Sequence, residues 1–402
     1  MTLPTAGEGS DTRAGMGQGA MGRALNIEDL RKAAHARLPR GIYEYLERGA
    51  EDELALAANR AAFRRISLLP HVLRGVSAID TTHRVLGEEM AFPFAVAPTG
   101  GASLFSYKGD ISAARAAAQR GIPFTVSTAS TLDVEEIAQA GGRLWFQLYL
   151  WENRALSHAA MERAWAAGCR LCFLTVDLPV HPNREYNERN GYGTPFRIGR
   201  RNTIDLLTHP RWFAGVLGRY MLNGGIPQQA NLPAHLRGSV TRSAPVGAAF
   251  KNDNLDWDEM KALRDRWPGT FVVKGIMRAD DASRALALGA DGVVVSNHGG
   301  RALDCAPATI EALPAVVQAV GGRMAVLVDG GVTRGTDIVK AIALGADAVL
   351  VGRAICYGLA AGGEEGAGRA LDILASEVRR TMGLAGCRSV AEITPDLLAP
   401  AA

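Results

Sequence analysis

The chain has 402 residues, 48% hydrophobic and 21% charged, with a formal net charge of +3. Basic residues are scattered rather than gathered in one run, which argues against nucleic acid as a partner. No apolar run reaches the ~20 residues that cross a bilayer, and five cysteines, an odd number, suit free thiols in a cytoplasmic, reducing setting.

Residues 1–24, rich in Gly, Thr and Ser without an apolar core, read as a disordered tail rather than a secretory signal. From there the chain alternates short apolar runs with Ala-rich, charge-studded segments of helical spacing, such as DISAARAAAQRG at 110–121. The first four runs are FPFAVAPTG (92–100), IPFTVSTAS (122–130), LWFQLYL (144–150) and LCFLTVDLP (171–179). FVVKGI (271–276), GVVVSNHGG (292–300), MAVLVDGG (324–331) and AVLVGR (348–353) follow. ALALGADGVVVSNHG (285–299) and AIALGADAVLVGRA (341–354) are one sentence written twice, the mark of a repeated helix–turn–strand unit. Continuous apolar strands separated by helices imply a parallel sheet covered on both faces. Eight such units predict an α/β fold, a (β/α)8 TIM barrel of ~250 residues, over about 90–375. A doubly wound open sheet is the alternative, but no Gly-x-Gly-x-x-Gly follows the first strand.

The gap between Pro179 and Phe271 far exceeds the ~2–6 residues of an ordinary βα loop. Its last part, NLDWDEMKALRDRWPG (254–269), is the expected helix, with Asp256 and Glu259 spaced as a capping box. The remainder, 185–250, is an insertion on the active face of a domain spanning 25–395. Within it HPRWFAGVLGRYMLNGG (209–225) sets Trp212, Phe213, Val216, Leu217, Tyr220, Met221 and Leu222 beside Arg211 and Arg219, with Arg200 and Arg201 upstream. That mixture suits a segment lying on a membrane surface through 205–225, or a lid packed on its own barrel. Cys169 and Cys172 form a Cys-x-x-Cys pair with no second pair or His cluster nearby, so no metal site is expected.

Barrel active sites gather at the carboxyl ends of the strands. Here those ends carry Pro98-Thr99-Gly100, Ser127-Thr128, Gln147 and Tyr149, Thr175 and Asp177, Lys274, Ser296 to Arg301, Asp329-Gly330-Gly331 and Gly352-Arg353. The glycines of DGGVTRG (329–335) and VGR (351–353), with Arg353, suit a phosphate, since bare backbone N–H groups approach an anion and a guanidinium grips it; plain tight turns would explain the glycines but not the arginine. His298 is a base able to act near neutrality. Arg301, three residues on, and Arg184, in HPNREYN, suit a two-armed clamp on a carboxylate.

These motifs, with YEYLERGAEDE (43–53), APTG, STAS, FQLY, LTVD, VKG, SNHGGRALD, DGGVTRGTD and GCRS, resemble the FMN-dependent α-hydroxy-acid oxidases and dehydrogenases over about 25–395. The resemblance implies FMN over the barrel mouth. Ala97, Pro98, Thr99 and Gly100 would face the ring, and Ser127, Gln147 and Thr175 its polar edge, with Lys274 near N1 and Ser296 against the ring system. Asp329, Gly330, Gly331, Arg334, Gly352 and Arg353 would hold ribityl and phosphate. It makes His298 the catalytic base and Asp177 its orienting carboxylate, with Arg184 and Arg301 on the substrate carboxylate and Tyr45 and Tyr149 bonded to the substrate. Departures are Ala302 in place of a common glutamine, Thr333 in place of a phosphate-contacting arginine, and Ala129 in place of a bulky aromatic. STAS, LDC, HPRW and PQQAN resemble the (S)-mandelate dehydrogenase branch most, which implies a mandelate-like aryl or bulky (S)-2-hydroxy acid and a membrane quinone or similar acceptor. It also implies a peripheral position on the inner face of the membrane and a homotetramer. An L-lactate or glycolate enzyme using oxygen or a soluble carrier is the alternative.

Overall fold

The structure, a computed structural model, describes residues 22–191, 199–225, 227–228, 230–237, 249–250 and 252–400. Eight strands close into a parallel barrel. They are β1 (Phe94–Val96), β2 (Phe124–Ser127), β3 (Leu144–Leu148), β4 (Leu171–Thr175), β5 (Thr270–Ile276), β6 (Gly292–Val295), β7 (Ala325–Val328) and β8 (Ala348–Val351). Seven fall inside the apolar runs and β5 begins one residue before its run, and β8 pairs with β1 to close the ring. Almost every strand residue is buried, as expected when helices cover one face and the barrel core fills the other.

The barrel interior is a separate packed core. Ala95, Ala97, Trp145, Leu171, Phe173, Val272, Val294, Leu327, Ala348 and Leu350 form it together with Val85 and Met90. The last two come from a hairpin, His83–Val85 with Glu88–Met90, that plugs the amino-terminal mouth. Two bonds fasten the plug: Trp145 Nε1 donates to Glu88 Oε2 at 2.9 Å, and His83 Nε2 lies 2.7 Å from the Asp347 carbonyl. With that end stopped, the open end is the one where the strands finish.

Three helices precede the barrel: α1 (Ile27–Arg37), α2 (Arg40–Glu47) and α3 (Leu54–Arg65). Asn26 caps α1 by accepting from Asp29 N. Residue 24, the last of the tail read from composition, belongs to the fold. Residues 1–21 lie outside the described residues, but Ala24 is buried and its carbonyl accepts two bonds from Arg369. At the other end the domain runs past 395, since Leu397 is fully buried and Ala399 N donates to Ser67 O at 2.9 Å.

The helix after β4 is Trp257–Arg266, and the capping box is only half formed. Asp256 accepts from Glu259 N, but the Glu259 carboxylate turns to Arg154, 2.6 Å away, because an ion pair outcompetes a single backbone N–H. In the insertion, helix Pro210–Trp212 continues through a π-helical stretch, Phe213–Gly218, into Arg219–Leu222. Trp212, Val216 and Tyr220 are buried against the barrel, while Phe213, Met221 and Leu222 are exposed.

Candidate active site

The carboxyl ends of the strands surround a cavity of about 1050 Å³. His298 reaches it from the turn after β6, where it has a positive φ of 58°. A non-glycine residue holds that conformation only when its surroundings enforce it, and two devices do so. Asn297 exchanges amide hydrogen bonds with Asn59 of α3, at 2.9 and 3.0 Å, and its Oδ1 also accepts from Gly300 N. Gly300, at φ 75°, packs so tightly on α3 that a Cβ would sit 2.5 Å from Leu56 N. The turn that carries His298 is thereby bolted to the amino-terminal helices.

The imidazole is held at both nitrogens. Nδ1 lies 2.9 Å from Asp177 Oδ1 and Nε2 lies 3.2 Å from the Tyr149 hydroxyl. Burial alone would raise the Asp177 pKa, but the neighbouring His298, with Lys274, holds it below the ordinary carboxylate value. Asp177 is therefore ionised and accepts Nδ1–H, which leaves Nε2 as the unprotonated nitrogen. Burial pushes the Tyr149 phenol up, so it stays protonated and donates to Nε2. Burial also pulls His298 below its ordinary value, against the opposing pull of Asp177. The ring is neutral at pH 7, as a proton acceptor must be.

Arg184, Arg301 and Arg353 line the same cavity, and none is paired with a carboxylate among the described residues. Their N–H groups rest on backbone carbonyls: Arg184 on Arg301 O, Arg301 on Tyr45 O and Arg48 O, Arg353 on Leu46 O, Gly299 O and Arg48 O. Burial, then the Arg301 charge, pushes Arg353 down to about 10, and the same two causes lower Arg184. Half-buried cations that repel one another, with no carboxylate in contact among the described residues, form a site that favours anions.

Lys274 is buried and ion-paired to Asp329 Oδ2 at 2.9 Å, and it donates to Ser296 Oγ at 2.8 Å. Burial opposes its charge, but Asp329 and Asp177 outweigh that and raise its pKa. Asp329 Oδ1 and Asp177 Oδ2 are buried without a partner among the described residues. A polar relay runs through Ser127, whose hydroxyl donates to Gln147 Oε1 at 3.0 Å; Gln147 Nε2 in turn donates to Thr175 Oγ1 at 2.9 Å. Ala97, Pro98, Thr99 and Gly100 line the wall beside Tyr45, whose hydroxyl donates to Gly100 O at 3.3 Å. Gly330, Gly331 and Gly352 complete it.

One predicted residue is elsewhere. Arg334 does not reach the cavity; half exposed, it pairs with Glu377 at 2.6 Å, because it caps the helix Gly335–Ala343 and faces the neighbouring long helix, Arg353–Ala385. Ser127, Gln147 and Ser296 sit behind the lining, buried. Sequence reasoning missed Arg60, Phe250 and Cys356, all of which line the cavity. Arg60 sits in α3, ahead of the first apolar run, and Phe250 belongs to the insertion; no local motif marks either. Cys356 carried a signal in its position just after Gly352-Arg353.

Against this geometry, residues 34–400 match the family described as FMN-dependent dehydrogenase. The chain belongs to the FMN-dependent dehydrogenase family. Among relatives of this dehydrogenase, L-lactate dehydrogenase of Ectopseudomonas mendocina is 40% identical, covering 92% of this chain and 97% of that protein. (S)-Mandelate dehydrogenase of Pseudomonas putida is also 40% identical, covering 93% of each. A crystal structure described as the monotopic membrane protein (S)-mandelate dehydrogenase superposes with a TM-score of 0.88 at 40% identity, covering 94% of this chain and 99% of that one. Structures of mandelate oxidase superpose with a TM-score of 0.78 at 38% identity, covering 94% and 98%. The dehydrogenase is thus an FMN-dependent oxidoreductase acting on 2-hydroxy acids. The residues present fit the cofactor: the cavity is large enough, Lys274 offers a buried cation, and the orphaned Asp329 Oδ1 is an acceptor for a ligand hydroxyl.

Proposed function

We propose that the dehydrogenase oxidises an (S)-2-hydroxy acid with an aryl or otherwise bulky side chain, mandelate-like, to the 2-oxo acid, and delivers the electrons to a quinone at a membrane surface. The observation that carries the reading is the convergence of His298 Nε2, the Tyr149 hydroxyl and the counter-ion-free Arg184 and Arg301 on one cavity. FMN, when bound, supplies the two-electron acceptor. Ala97 to Gly100, Thr175, Lys274, Asp329 to Gly331, Gly352 and Arg353 would hold it, with Ser127, Gln147 and Ser296 setting the orientation of those groups from behind.

The two guanidiniums would grip the substrate carboxylate, and Tyr45 and Tyr149 would orient its polar oxygens. One proton leaving the substrate would be taken at His298 Nε2, and Asp177 stabilises the resulting imidazolium without itself being protonated. The preference for a bulky side chain is supported by Ala129 in the cavity wall, a small residue beside Gly100. The likeness to mandelate dehydrogenase and mandelate oxidase supports it too.

The membrane acceptor is supported by the exposed Phe213, Met221 and Leu222 on the insertion helix, and by likeness to a protein described as monotopic. Among the described residues no helix is long and apolar enough to cross a membrane. A homotetramer rests on the resemblance alone and is read by light scattering. The second reading is a lactate-type enzyme, favoured by the equal identity to L-lactate dehydrogenases.

Anaerobic mixing of the yellow protein with (S)-mandelate, L-lactate and glycolate separates these readings. Rapid loss of the oxidised-flavin absorbance with mandelate supports the first, and with lactate or glycolate alone the second. No bleaching with any 2-hydroxy acid would reject both.

A further inference from the structure

The turn after β7 brings no cation to the cavity. Thr333 is uncharged, and Arg334 is turned outward to Glu377. Arg353 is then left to face an anionic ligand next to this turn, with Nε, Nη1 and Nη2 each already donating to a backbone carbonyl. A phosphate monoester carries about −1.5 to −2 charge at pH 7, more than one guanidinium neutralises.

A second cation, Arg60 of α3, lines the same cavity, and α3 is pinned onto the turn. Gly331, at φ 83°, approaches α3 so closely that a Cβ would meet the Asn59 carbonyl at 2.7 Å, and Lys340 Nζ donates to Phe63 O at 2.8 Å. Arg60 is close enough to Arg353 and Tyr357 to act on both electrostatically. Its carboxylate neighbour is largely committed elsewhere. Glu47 holds Arg31 at 3.1 Å and the Tyr357 hydroxyl at 2.5 Å, while Arg60 reaches it only at 3.5 Å. Arg60 is thus held less tightly than Arg353, whose three nitrogens all donate to carbonyls.

We infer that Arg60 is a phosphate-binding residue, supplying from the amino-terminal helices the second guanidinium for the FMN phosphate that the β7 turn of this chain lacks. The inference rests on the FMN-dependent reading and adds a residue outside the barrel to its cofactor site. It also gives the contact between α3 and the barrel a chemical purpose: the helix that fixes the His298 turn through Asn59 carries the next residue to the cofactor.

The test is FMN release from diluted, purified holoenzyme, followed by the rise in free-flavin fluorescence at several ionic strengths. Arg60→Gln should release FMN about 10- to 100-fold faster than wild type, the range expected for a lost charge-assisted hydrogen bond, and with a flatter salt dependence. Arg60→Lys should recover part of the loss. The Glu47→Gln background separates this from mere support of Glu47: the Arg60→Gln effect should persist there. Release at the wild-type rate, or an effect that vanishes in the Glu47→Gln background, overturns the inference alone. A wild-type protein that purifies without yellow flavin and takes up none overturns it together with the cofactor reading.

Discussion

Asp177 Oδ1 sits 2.9 Å from His298 Nδ1 although the two residues leave the barrel on strands β4 and β6, with β5 between them. The room comes from Gly275. The β5–β6 register shifts between Lys274 and Ile276, and Gly275 takes φ 112°. A Cβ there would lie 2.6 Å from Asp177 Cβ. At this bulge the bare Gly275 backbone packs directly on Asp177, which leaves the carboxylate the space in which it meets the imidazole.

Gly275→Ala should therefore damage chemistry and fold together. The left-handed backbone and the steric contact predict a loss of about 2–4 kcal/mol in stability. Thermal unfolding of the holoenzyme reads the first effect, and stopped-flow flavin reduction the second. A variant with wild-type stability and wild-type reduction would show that the close approach is unimportant.

The charge balance around His298 sets a pH profile. Burial keeps the imidazole below its ordinary value, so reduction by substrate should stay flat above neutrality and fall only below ~6.5. Asp177→Asn removes both the charge that opposes this depression and the group that fixes the tautomer. It should cut the reduction rate about 10²- to 10⁴-fold while the protein remains yellow. Rapid-mixing absorbance across pH 5–9 tests both statements, and an unchanged rate in the variant would remove Asp177 from the mechanism.

The two clamp arginines should not behave independently. Arg184 donates from Nε and Nη2 to the Arg301 carbonyl, so its removal loosens the backbone that carries the other guanidinium. Each alanine variant should lose kcat/KM on the order of 10- to 10³-fold, and the double variant less than the product of the two. Arg301→Lys should recover little, since an ammonium cannot reproduce a planar two-pronged contact. Steady-state kinetics on the four proteins closes the cycle, and additive losses would argue against the coupling.

Much of this was legible beforehand, for identifiable reasons. A barrel strand buried on both faces is a continuous apolar run, and its terminal polar residues have nowhere to go but the mouth; hence His298, Asp177 and Lys274 stand out by position. Arg334 misled because a motif gives sequence order but not side-chain direction, and Glu377, on the long helix after β8, sets that direction. Asn59 was invisible because its partner, Asn297, lies far along the chain, and Arg60 because no local pattern marks which cations of α3 reach the cavity. The half-formed capping box failed through Arg154, a competitor distant in sequence.

Asp110 offers a test on stability alone. It is fully buried beside Ser103 and Ser130, with no ion pair among the described residues, and burial raises its carboxyl to about 6 from an ordinary value of 3.8. A raised carboxyl favours the folded state while protonated, so this contribution is full below pH ~4 and is lost as pH rises through about 6. Asp110→Asn should then be more stable than wild type at pH 7 by roughly 2–3 kcal/mol, with the advantage fading below pH 4. Denaturant unfolding at pH 4 and pH 7 measures it, and a pH-independent difference would mean that Asp110 is ionised in the fold.

The insertion helix separates two roles by face. Trp212, Val216 and Tyr220 recur at every fourth residue and face the barrel. Trp212 Nε1 donates to Leu104 O at 2.8 Å, and the Tyr220 hydroxyl accepts from Lys108 N at 2.9 Å. Phe213, Met221 and Leu222 are turned outward, as are Ile204 and Leu207 on the preceding helix. Each outward side chain placed in a bilayer interface contributes on the order of 1–2 kcal/mol. Phe213→Ser with Leu222→Ser should therefore release the protein from anionic vesicles in a sedimentation assay and leave substrate bleaching of the flavin unchanged. Trp212→Ala should do the reverse, costing about 3–5 kcal/mol of stability through a buried cavity and a lost bond. If the double serine variant sediments with vesicles as wild type does, the exposed face is not the membrane contact, and the lid reading of this segment stands in its place.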